Sequence, residues 1–145
     1  MDHSLFNYIT TFVFDVDGVL TNGEVIVTES GELLRTMSTR DGQAVKIAME
    51  NGYQVAIITK GFSTGVRKRF ELLGIPYIYD KKEEKTAAFD DLAGKLSLKK
   101  QEILFMGDDI PDLVLYDKVG ISACPADAAP ENLQKAMYIS PNKGG

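Results

Sequence analysis

The sequence contains very little cysteine and histidine. Cys124 is the only cysteine and His3 the only histidine among the 145 residues, so no disulfide can form within the chain and a zinc site built from several such ligands is excluded. Cys124 follows the apolar stretch 119–123, which favours a buried structural thiol over a nucleophile. A single free cysteine is typical of a reducing compartment, and we expect a cytoplasmic protein.

The sequence also lacks long apolar stretches and an excess of positive charge. No stretch approaches the ~20 apolar residues of a membrane span, and residues 1–11 do not have the pattern of a secretion signal. With 16 basic and 21 acidic side chains the net charge is −5, which argues against nucleic acid as a partner. We therefore expect a small-molecule ligand, which can be a phosphate ester even for an acidic protein, because phosphate binds locally to a metal ion, a lysine and backbone amides.

Short apolar stretches alternate with segments that have helical patterns. The apolar stretches, which predict buried parallel strands, are residues 11–16, 55–59, 77–79, 103–106 and 119–123. The predicted helices are residues 42–51, 63–73, 84–96 and 111–118. This alternation predicts an α/β fold with an open, mainly parallel, three-layer Rossmann-like sheet. The length allows one domain, spanning residues 1–145.

One segment, about residues 23–38, interrupts the alternation. Its two β-type stretches flank Glu29-Ser30-Gly31-Glu32 and predict a β-hairpin flap after the first strand. Its apolar side chains include Val25, Val27, Leu33 and Met37. Because a two-stranded ribbon is marginal alone, we expect these side chains to mediate self-association; the alternative is that they fold back over their own sheet.

Acidic side chains follow two of the predicted strands. Asp15 and Asp17 follow the first strand, and Asp108 and Asp109 follow the fourth. In open α/β sheets ligands bind beyond the carboxyl ends of the strands, and so many carboxylates beside a dry core require a compensating cation. Carboxylate and carbonyl ligands suit Mg²⁺, which is the cofactor we predict.

Four residues have the chemistry required for transfer of a phosphoryl group. Asp15 is placed to act as nucleophile, and Asp17 to protonate the leaving oxygen and later deprotonate water. Thr59 and Lys85 can bind the transferring group by a hydrogen bond and by charge. Each also has a simpler structural interpretation. Asp-x-Asp-Gly is a common turn, and Thr59 can simply end a strand. Lys85 can be a solvated charge, in which case Lys81 or Lys82 could bind the phosphoryl group instead.

The acidic residues near the fourth strand also have structural alternatives. Asp108 or Asp109 can cap the helix that begins near Pro111. Asp112 is favoured in a first helical turn by the helix dipole alone. We expect Asp109 and Asp112 to lie behind the residues that contact the metal ion and the substrate, and to hold those residues in place.

These motifs resemble those of the haloacid dehalogenase superfamily. Its motif D-x-D-G-x-[LT] is matched by residues 15–20, its threonine by Thr59, its lysine by Lys85 and its G-D-D-x-x-D motif by residues 107–112. The resemblance implies Asp15 as nucleophile and Asp17 as acid and base. It further implies that Mg²⁺ is held by Asp15, the backbone carbonyl of Asp17 and Asp108.

Only 41 residues separate Asp17 from Thr59, which leaves no space for a cap domain. Within the superfamily the chain resembles the capless group that hydrolyses 2-keto-3-deoxy sugar acid phosphates. The sequence Thr39-Arg40-Asp41-Gly42 matches that group, and Arg40 and Asp41 are candidates for substrate binding, Arg40 by pairing with a sugar carboxylate. The alternative is a loop in which Asp41 is a helix N-cap. Lys60 and Gly61 follow Thr59 where many members have Gly-Arg, and they are also substrate-binding candidates.

The resemblance implies a phosphatase for 3-deoxy-D-manno-octulosonate 8-phosphate, with a nine-carbon sugar acid 9-phosphate as the alternative. It also implies a homotetramer in which the hairpins meet and neighbouring subunits help to close each site. Relatives continue past the Gly-Gly at 144–145 with a short tail. A different class, a receiver-like phosphoacceptor signalling module, has similar residues, but its acidic pair follows the first strand and its acceptor aspartate the third. A non-catalytic module that retains the motifs is the third hypothesis.

Overall fold

A six-stranded sheet forms the centre of the molecule, and the computed structural model describes all residues, 1–145. The strands of the chain are β1 (Thr11–Phe14), β2 (Ile26–Val27), β3 (Leu33–Leu34), β4 (Gln54–Ile58), β5 (Tyr77–Tyr79), β6 (Ile103–Met106), β7 (Ile121–Cys124) and β8 (Tyr138–Ile139). The main sheet has the order β5-β4-β1-β6-β7-β8, and every neighbouring pair in it is parallel. The predicted α/β architecture is confirmed.

The predicted helices are present with shifted ends. The helices are α1 (Thr39–Glu50), α2 (Thr64–Leu73), α3 (Lys85–Leu96), α4 (Leu113–Tyr116) and α5 (Pro130–Lys135), with 3₁₀ turns at His3–Tyr8, Lys100–Glu102 and Ile110–Asp112. Helix α1 begins earlier than predicted because Ser38 is its N-cap, with Oγ accepting a hydrogen bond from the Asp41 amide at 3.4 Å. The interpretation of Asp41 as an N-cap is therefore wrong. None of the helices combines the length and the apolar character needed to cross a membrane.

The sheet is covered on both faces, which gives the three layers. Because side chains alternate along a strand, β4 presents Val55 and Ile57 to one core and Ala56 and Ile58 to the other. Helices α1 and α2 pack on the first face through Val45 and Phe70. Helices α3 and α4 pack on the second face, with side chains that include Phe89, Leu92 and Leu115. This burial from both sides explains why the strands are apolar throughout.

The predicted hairpin is formed by β2 and β3, which pair antiparallel with Ile26 opposite Leu34 and Val27 opposite Leu33. Four apolar side chains of the paired strands are exposed to solvent, from 47% for Leu34 to 68% for Val27. Met37, in contrast, packs against the core beneath α1 and α2. The ribbon therefore projects from the sheet and does not fold back over it, and there is no cap domain between β1 and β4.

Residues near the end of the chain pack against the loop that follows β1. The Gly145 amide donates a hydrogen bond to the Val19 carbonyl at 3.1 Å, and the Gly144 amide donates to Asp127 Oδ1 at 3.0 Å. A Cβ atom at Gly144 would lie 2.9 Å from the Thr21 carbonyl oxygen and 2.7 Å from the Gly18 carbonyl carbon. This packing leaves no room for a side chain at position 144.

We predict that Gly144→Ala lowers the free energy of unfolding by about 1–3 kcal/mol, because the added methyl group must displace the backbone after β1. Gly94→Ala is the matched control: Gly94 lies within α3, a Cβ atom there meets nothing within 4 Å, and the change should stabilise the protein by up to about 1 kcal/mol. Urea unfolding of both variants measures the effects. Equal stability of the two variants would contradict the packing described for Gly144.

Candidate active site

A polar cavity lies at the carboxyl ends of β1, β4 and β6. The chain leaves β1 for β4 and β5 on one side and later enters β6 on the other side, and such reversals of strand order are where open α/β sheets bind ligands. The cavity has a volume of about 260 Å³. Its lining residues are Asp15, Asp17, Gly23, Thr59, Lys60, Gly61, Lys85, Asp108, Asp109, Pro111 and Asp112.

Lys85 connects two acidic residues at the base of this cavity. Its Nζ donates to Asp15 Oδ1 at 2.7 Å and to Asp112 Oδ1 at 2.5 Å, and all three residues are buried. Burial by itself lowers the pKa of Lys85, but the charges and hydrogen bonds of Asp15 and Asp112 outweigh it, so the pKa is raised. The lysine is therefore charged and held against Asp15.

The alternative lysines do not take this position. Lys81 lies over the ring of Phe62, with Nζ 3.8 Å from the ring centroid, and Lys82 is exposed. Neither lines the polar cavity. Of the three lysines considered from the sequence, only Lys85 contacts Asp15.

Asp112 uses both of its carboxylate oxygens in structural contacts. Oδ1 accepts from Lys85, and Oδ2 accepts from the backbone amides of Asp108 and Asp109 at 3.0 and 3.2 Å. Asp109 in turn caps the turn Ile110–Asp112, with its Oδ1 accepting from the Ile110 amide at 2.8 Å. Asp112 therefore orders the loop after β6 and holds Lys85 from behind, and Asp109 adds the cap.

Gly18 allows the carboxylate of Asp108 to approach the loop after β1. Gly18 has φ +83°, and a Cβ atom there would collide with the Asp108 carboxylate. The Asp15, Asp108 and Asp112 carboxylates each place an oxygen within 4.8 Å of the other two. Three acidic groups thus converge on one point.

This convergence leaves negative charge without a sufficient partner. Burial, together with repulsion from Asp112, raises the pKa of Asp15 to about 6 although Lys85 acts in the opposite direction. Burial and the charges of Asp15, Asp112 and Asp109 raise the pKa of Asp108 to about 7. Both groups would be more stable as carboxylates beside a cation.

The donor set fits a hard divalent cation such as Mg²⁺. Asp112 is fully used, but Asp15 Oδ2 and both Asp108 oxygens accept no hydrogen bond, and neither does the backbone carbonyl of Asp17. Two carboxylates and a carbonyl, completed by water and a phosphate oxygen, match the preference of Mg²⁺. The predicted ligands Asp15, Asp17 and Asp108 are therefore free to coordinate.

Asp17 contacts a residue that the sequence analysis missed. Arg35, just after β3, donates from Nε to Asp17 Oδ1 at 2.6 Å and from Nη2 to Asp17 Oδ2 at 3.3 Å. The local sequence does not identify Arg35 as a site residue, because it is one of several charged residues in a hairpin that also contains polar and apolar residues. Only the folding of the hairpin towards the loop after β1 brings the two side chains together.

Thr59 and its neighbours form the side of the cavity next to β4. Thr59 is anchored by its amide, which donates to the Tyr79 carbonyl at 2.8 Å, and its Oγ1 accepts from the Gly61 amide at 3.3 Å. The hydroxyl proton of Thr59 is thus available to a ligand oxygen. Lys60 is exposed at the rim, where it can meet an anion that enters the cavity.

Arg40 and Asp41 lie elsewhere. Both line a second cavity of about 700 Å³ between α1 and the sheet, together with apolar side chains such as Phe12 and Phe14. Burial raises the pKa of Asp41. Within one chain the structure does not bring these two predicted substrate ligands to the polar cavity.

Two further residues that were not predicted from the sequence support the loop after β6. The Tyr116 hydroxyl donates to the Gly107 carbonyl at 3.1 Å, and Asn132 Nδ2 donates to the Asp109 carbonyl and to the Tyr116 hydroxyl, both at 3.0 Å. Asn132 is completely buried in α5. The short helix α5 was not predicted, so this contact could not be anticipated.

Comparisons with known proteins identify relatives of the whole chain. No protein-family profile matches the sequence. The 3-deoxy-D-manno-octulosonate 8-phosphate phosphatase of Escherichia coli K12 is 36% identical over 137 residues, which cover 94% of this chain and 73% of that protein. The corresponding phosphatase of Yersinia pestis is 33% identical over the same coverage.

Solved structures agree with these relationships. The crystal structure of the Yersinia pestis phosphatase superimposes with a TM-score of 0.94 at 31% identity, covering 97% of this chain and 76% of that one. The Moraxella catarrhalis phosphatase, crystallised with a magnesium ion, a phosphate ion and a KDO molecule, has a TM-score of 0.93 at 27% identity, covering 100% and 85% of the two chains. Identity and coverage at this level confirm the resemblance found in the sequence: the chain belongs to the 3-deoxy-D-manno-octulosonate 8-phosphate phosphatase family of the haloacid dehalogenase superfamily.

Proposed function

We propose that the chain is a Mg²⁺-dependent phosphomonoesterase that hydrolyses 3-deoxy-D-manno-octulosonate 8-phosphate to the free sugar acid and inorganic phosphate. The observation that carries the proposal is the buried Asp15, which is held on Oδ1 by Lys85 and lines an acidic cavity. The names of the relatives supply the substrate. Membership of a phosphatase family also argues against the receiver-like alternative.

In the first step Asp15 acts as the nucleophile. One carboxylate oxygen of Asp15 attacks phosphorus; a bond from that oxygen to phosphorus forms and the bond from phosphorus to the sugar oxygen breaks. Asp17 donates a proton to that departing oxygen. Lys85 and the Thr59 hydroxyl bind the phosphoryl oxygens as charge shifts onto them.

In the second step the phosphorylated Asp15 is hydrolysed. Asp17, now a carboxylate, removes a proton from a water molecule that attacks phosphorus, and the bond to Asp15 breaks. Bound Mg²⁺, held by Asp15, the Asp17 carbonyl and Asp108, would reduce the repulsion between the Asp15 carboxylate and the phosphate. Asp109 and Asp112 keep the loop that carries Asp108 in place.

Lys60 and Gly61 are the proposed contacts to the sugar acid within the chain, because both line the cavity. Arg40 and Asp41 face a different cavity, so their proposed role in substrate binding requires a neighbouring subunit. The buried free thiol of Cys124 supports a cytoplasmic location, which is part of the proposal.

Asp15→Asn should lower turnover at least ~10³-fold, because the amide is a poor nucleophile and catalytic residues that act as a unit show losses of this size or more. Phosphate release should be measured with Mg²⁺ from eight-carbon and nine-carbon 2-keto-3-deoxy sugar acid phosphates, and repeated with a metal chelator. We expect the eight-carbon substrate to be preferred and the chelator to abolish turnover.

Asp91→Asn is the matched control, since Asp91 is an exposed acid on α3 that pairs with Lys95. Turnover by this variant should equal that of the unchanged protein. Full activity of Asp15→Asn, or activity that survives chelation, would contradict the mechanism, and preference for the nine-carbon substrate would overturn the assigned substrate.

Stability of the metal-free protein should fall as pH rises from about 4 to about 7. The pKa values of Asp15 and Asp108 are raised to about 6 and about 7 in the folded state, whereas an aspartate in the unfolded chain has a pKa of about 3.9. The folded state therefore binds protons more strongly in this window, and losing them costs stability.

Mg²⁺ should consequently raise the melting temperature more at about pH 7.5 than at about pH 5. Asp108→Asn should raise the melting temperature of the metal-free protein at the higher pH and reduce the response to Mg²⁺. Thermal unfolding at both pH values, with and without Mg²⁺, measures this. An equal Mg²⁺ response at both values would count against a cation between Asp15 and Asp108.

We further propose that the chain forms a homotetramer through the hairpin. The support is the exposed apolar ribbon, in which Ile26 and Val27 are 60% and 68% exposed, since a lone two-stranded ribbon is marginal and contiguous apolar surface marks contact sites. Val27→Asp should place a charge in the contact and dissociate the assembly.

Sedimentation equilibrium should show a mass of four chains for the unchanged protein and a smaller mass for Val27→Asp. Leu72→Asp is the control, because Leu72 on α2 is even more exposed, at 81%, but lies outside the ribbon. A monomeric unchanged protein, or an unchanged mass for Val27→Asp, would refute assembly through the hairpin.

A further inference from the structure

The side chain of Arg35 is buried at the end of a ribbon whose apolar residues are exposed. Leu33 and Leu34 are 49% and 47% exposed, whereas the side chain of Arg35, directly after them, is 8% exposed. This is the reverse of the usual distribution, because charged side chains are buried only when they are paired. The burial of Arg35 therefore points to a specific partner.

That partner is the carboxylate of Asp17. Arg35 Nε donates to Asp17 Oδ1 at 2.6 Å and Nη2 donates to Oδ2 at 3.3 Å, while Nη1 donates to the Leu33 carbonyl at 3.3 Å. The fork of the guanidinium matches the plane of a carboxylate and fixes its rotation as well as its position. The Asp17 carboxylate makes no other hydrogen bond within the chain, so Arg35 alone sets its orientation.

We propose that Arg35 is the positioning residue for Asp17, and that it brings the hairpin into the catalytic machinery. The inference rests on the proposed function, in which Asp17 moves the proton. Arg35 holds the carboxylate so that one oxygen points at the oxygen that leaves the phosphorus, and misplacement by as little as about 1 Å can cost such a step ~10²-fold.

The two contacts differ, and this assigns the two oxygens of Asp17. The short bond at 2.6 Å holds Oδ1 on the guanidinium, while the bond to Oδ2, at 3.3 Å, is longer and weaker. Oδ2 also faces Gly61, where a Cβ atom would lie 3.4 Å from it and 3.8 Å from Arg35 Nη2. Oδ1 is thus the anchored oxygen, and Oδ2 is the one that exchanges a proton with the leaving group.

The test compares substrates that differ in their need for a general acid. The leaving oxygen of an alkyl phosphate, such as the sugar acid phosphate, must be protonated as it departs. The leaving group of 4-nitrophenyl phosphate is 4-nitrophenolate, which is stable as an anion and needs no proton. For Arg35→Met, kcat/KM should fall ~10- to 100-fold with the alkyl phosphate and less than ~3-fold with the aryl phosphate. Arg35→Lys, which keeps the charge but not the fork, should lie between, and added guanidinium ion should partly restore an Arg35→Ala variant.

The parameter kcat/KM is the appropriate measure because it includes the steps only up to the first phosphoryl transfer. Lys118→Met is the matched control: Lys118 also forms an ion pair, with Asp90, but lies outside the polar cavity, and its kcat/KM values should be unchanged. Thermal unfolding of each variant verifies that it is folded at the assay temperature.

Equal losses with both phosphates for Arg35→Met would show a merely structural role and overturn the inference, as would no loss at all. Asp17→Asn separates this result from the proposed function, because it should show the same preference for the aryl phosphate in a stronger form. If Asp17→Asn lacks that preference, the acid role of Asp17 in the proposed function is wrong. If Asp17→Asn shows it and Arg35→Met does not, only the positioning role fails.

Discussion

The contact of Lys85 with Asp15 and Asp112 is the interaction on which the site depends. It joins three segments that are distant in the sequence: the end of β1, the start of α3 and the loop after β6. A lysine at the first residue of a helix is opposed by the helix dipole, and its burial adds a further cost. Two carboxylates compensate both effects, and removing one partner from such a buried group typically costs about 3–5 kcal/mol.

The same carboxylates explain why the site requires a metal ion. Lys85 neutralises one of the negative charges where Asp15, Asp108 and Asp112 converge. The remaining repulsion, together with burial, raises the pKa values of Asp15 and Asp108. The strands of the sheet fix the backbone that carries these residues, so the carboxylates stay close together despite their repulsion. A cation and the phosphate of a substrate then enter a site that is already arranged to receive them.

The sequence indicates the centre of the site much better than its surroundings. The ends of β1, β4 and β6 could be located because buried parallel strands are apolar throughout, and the polar residues after them mark the edge where ligands bind. Lys85 could be chosen over Lys81 and Lys82 only by the resemblance to a family, since all three lie in one charged segment.

The unpredicted parts depend on contacts between distant residues or on short elements. Helix α5 has six residues and β8 has two, too few for a periodic pattern to be recognised. The early start of α1 comes from the cap at Ser38, although Asp41 has an equally suitable side chain for a cap and lies closer to the apolar part of the helix. The pairing of Arg35 with Asp17 spans 18 residues and depends on where the hairpin lies, which no local pattern specifies.

The hairpin gives this small fold a way to complete its site without a cap domain. Its paired strands are only two residues long, so the ribbon gains little stability from its own hydrogen bonds and has to be held at both ends. Arg35 holds its base through Asp17, and the exposed apolar side chains of its paired strands offer a surface for other chains. Because one short ribbon carries both the contact to Asp17 and the exposed apolar side chains, the proposed assembly and the proposed proton transfer by Asp17 would depend on the same few residues.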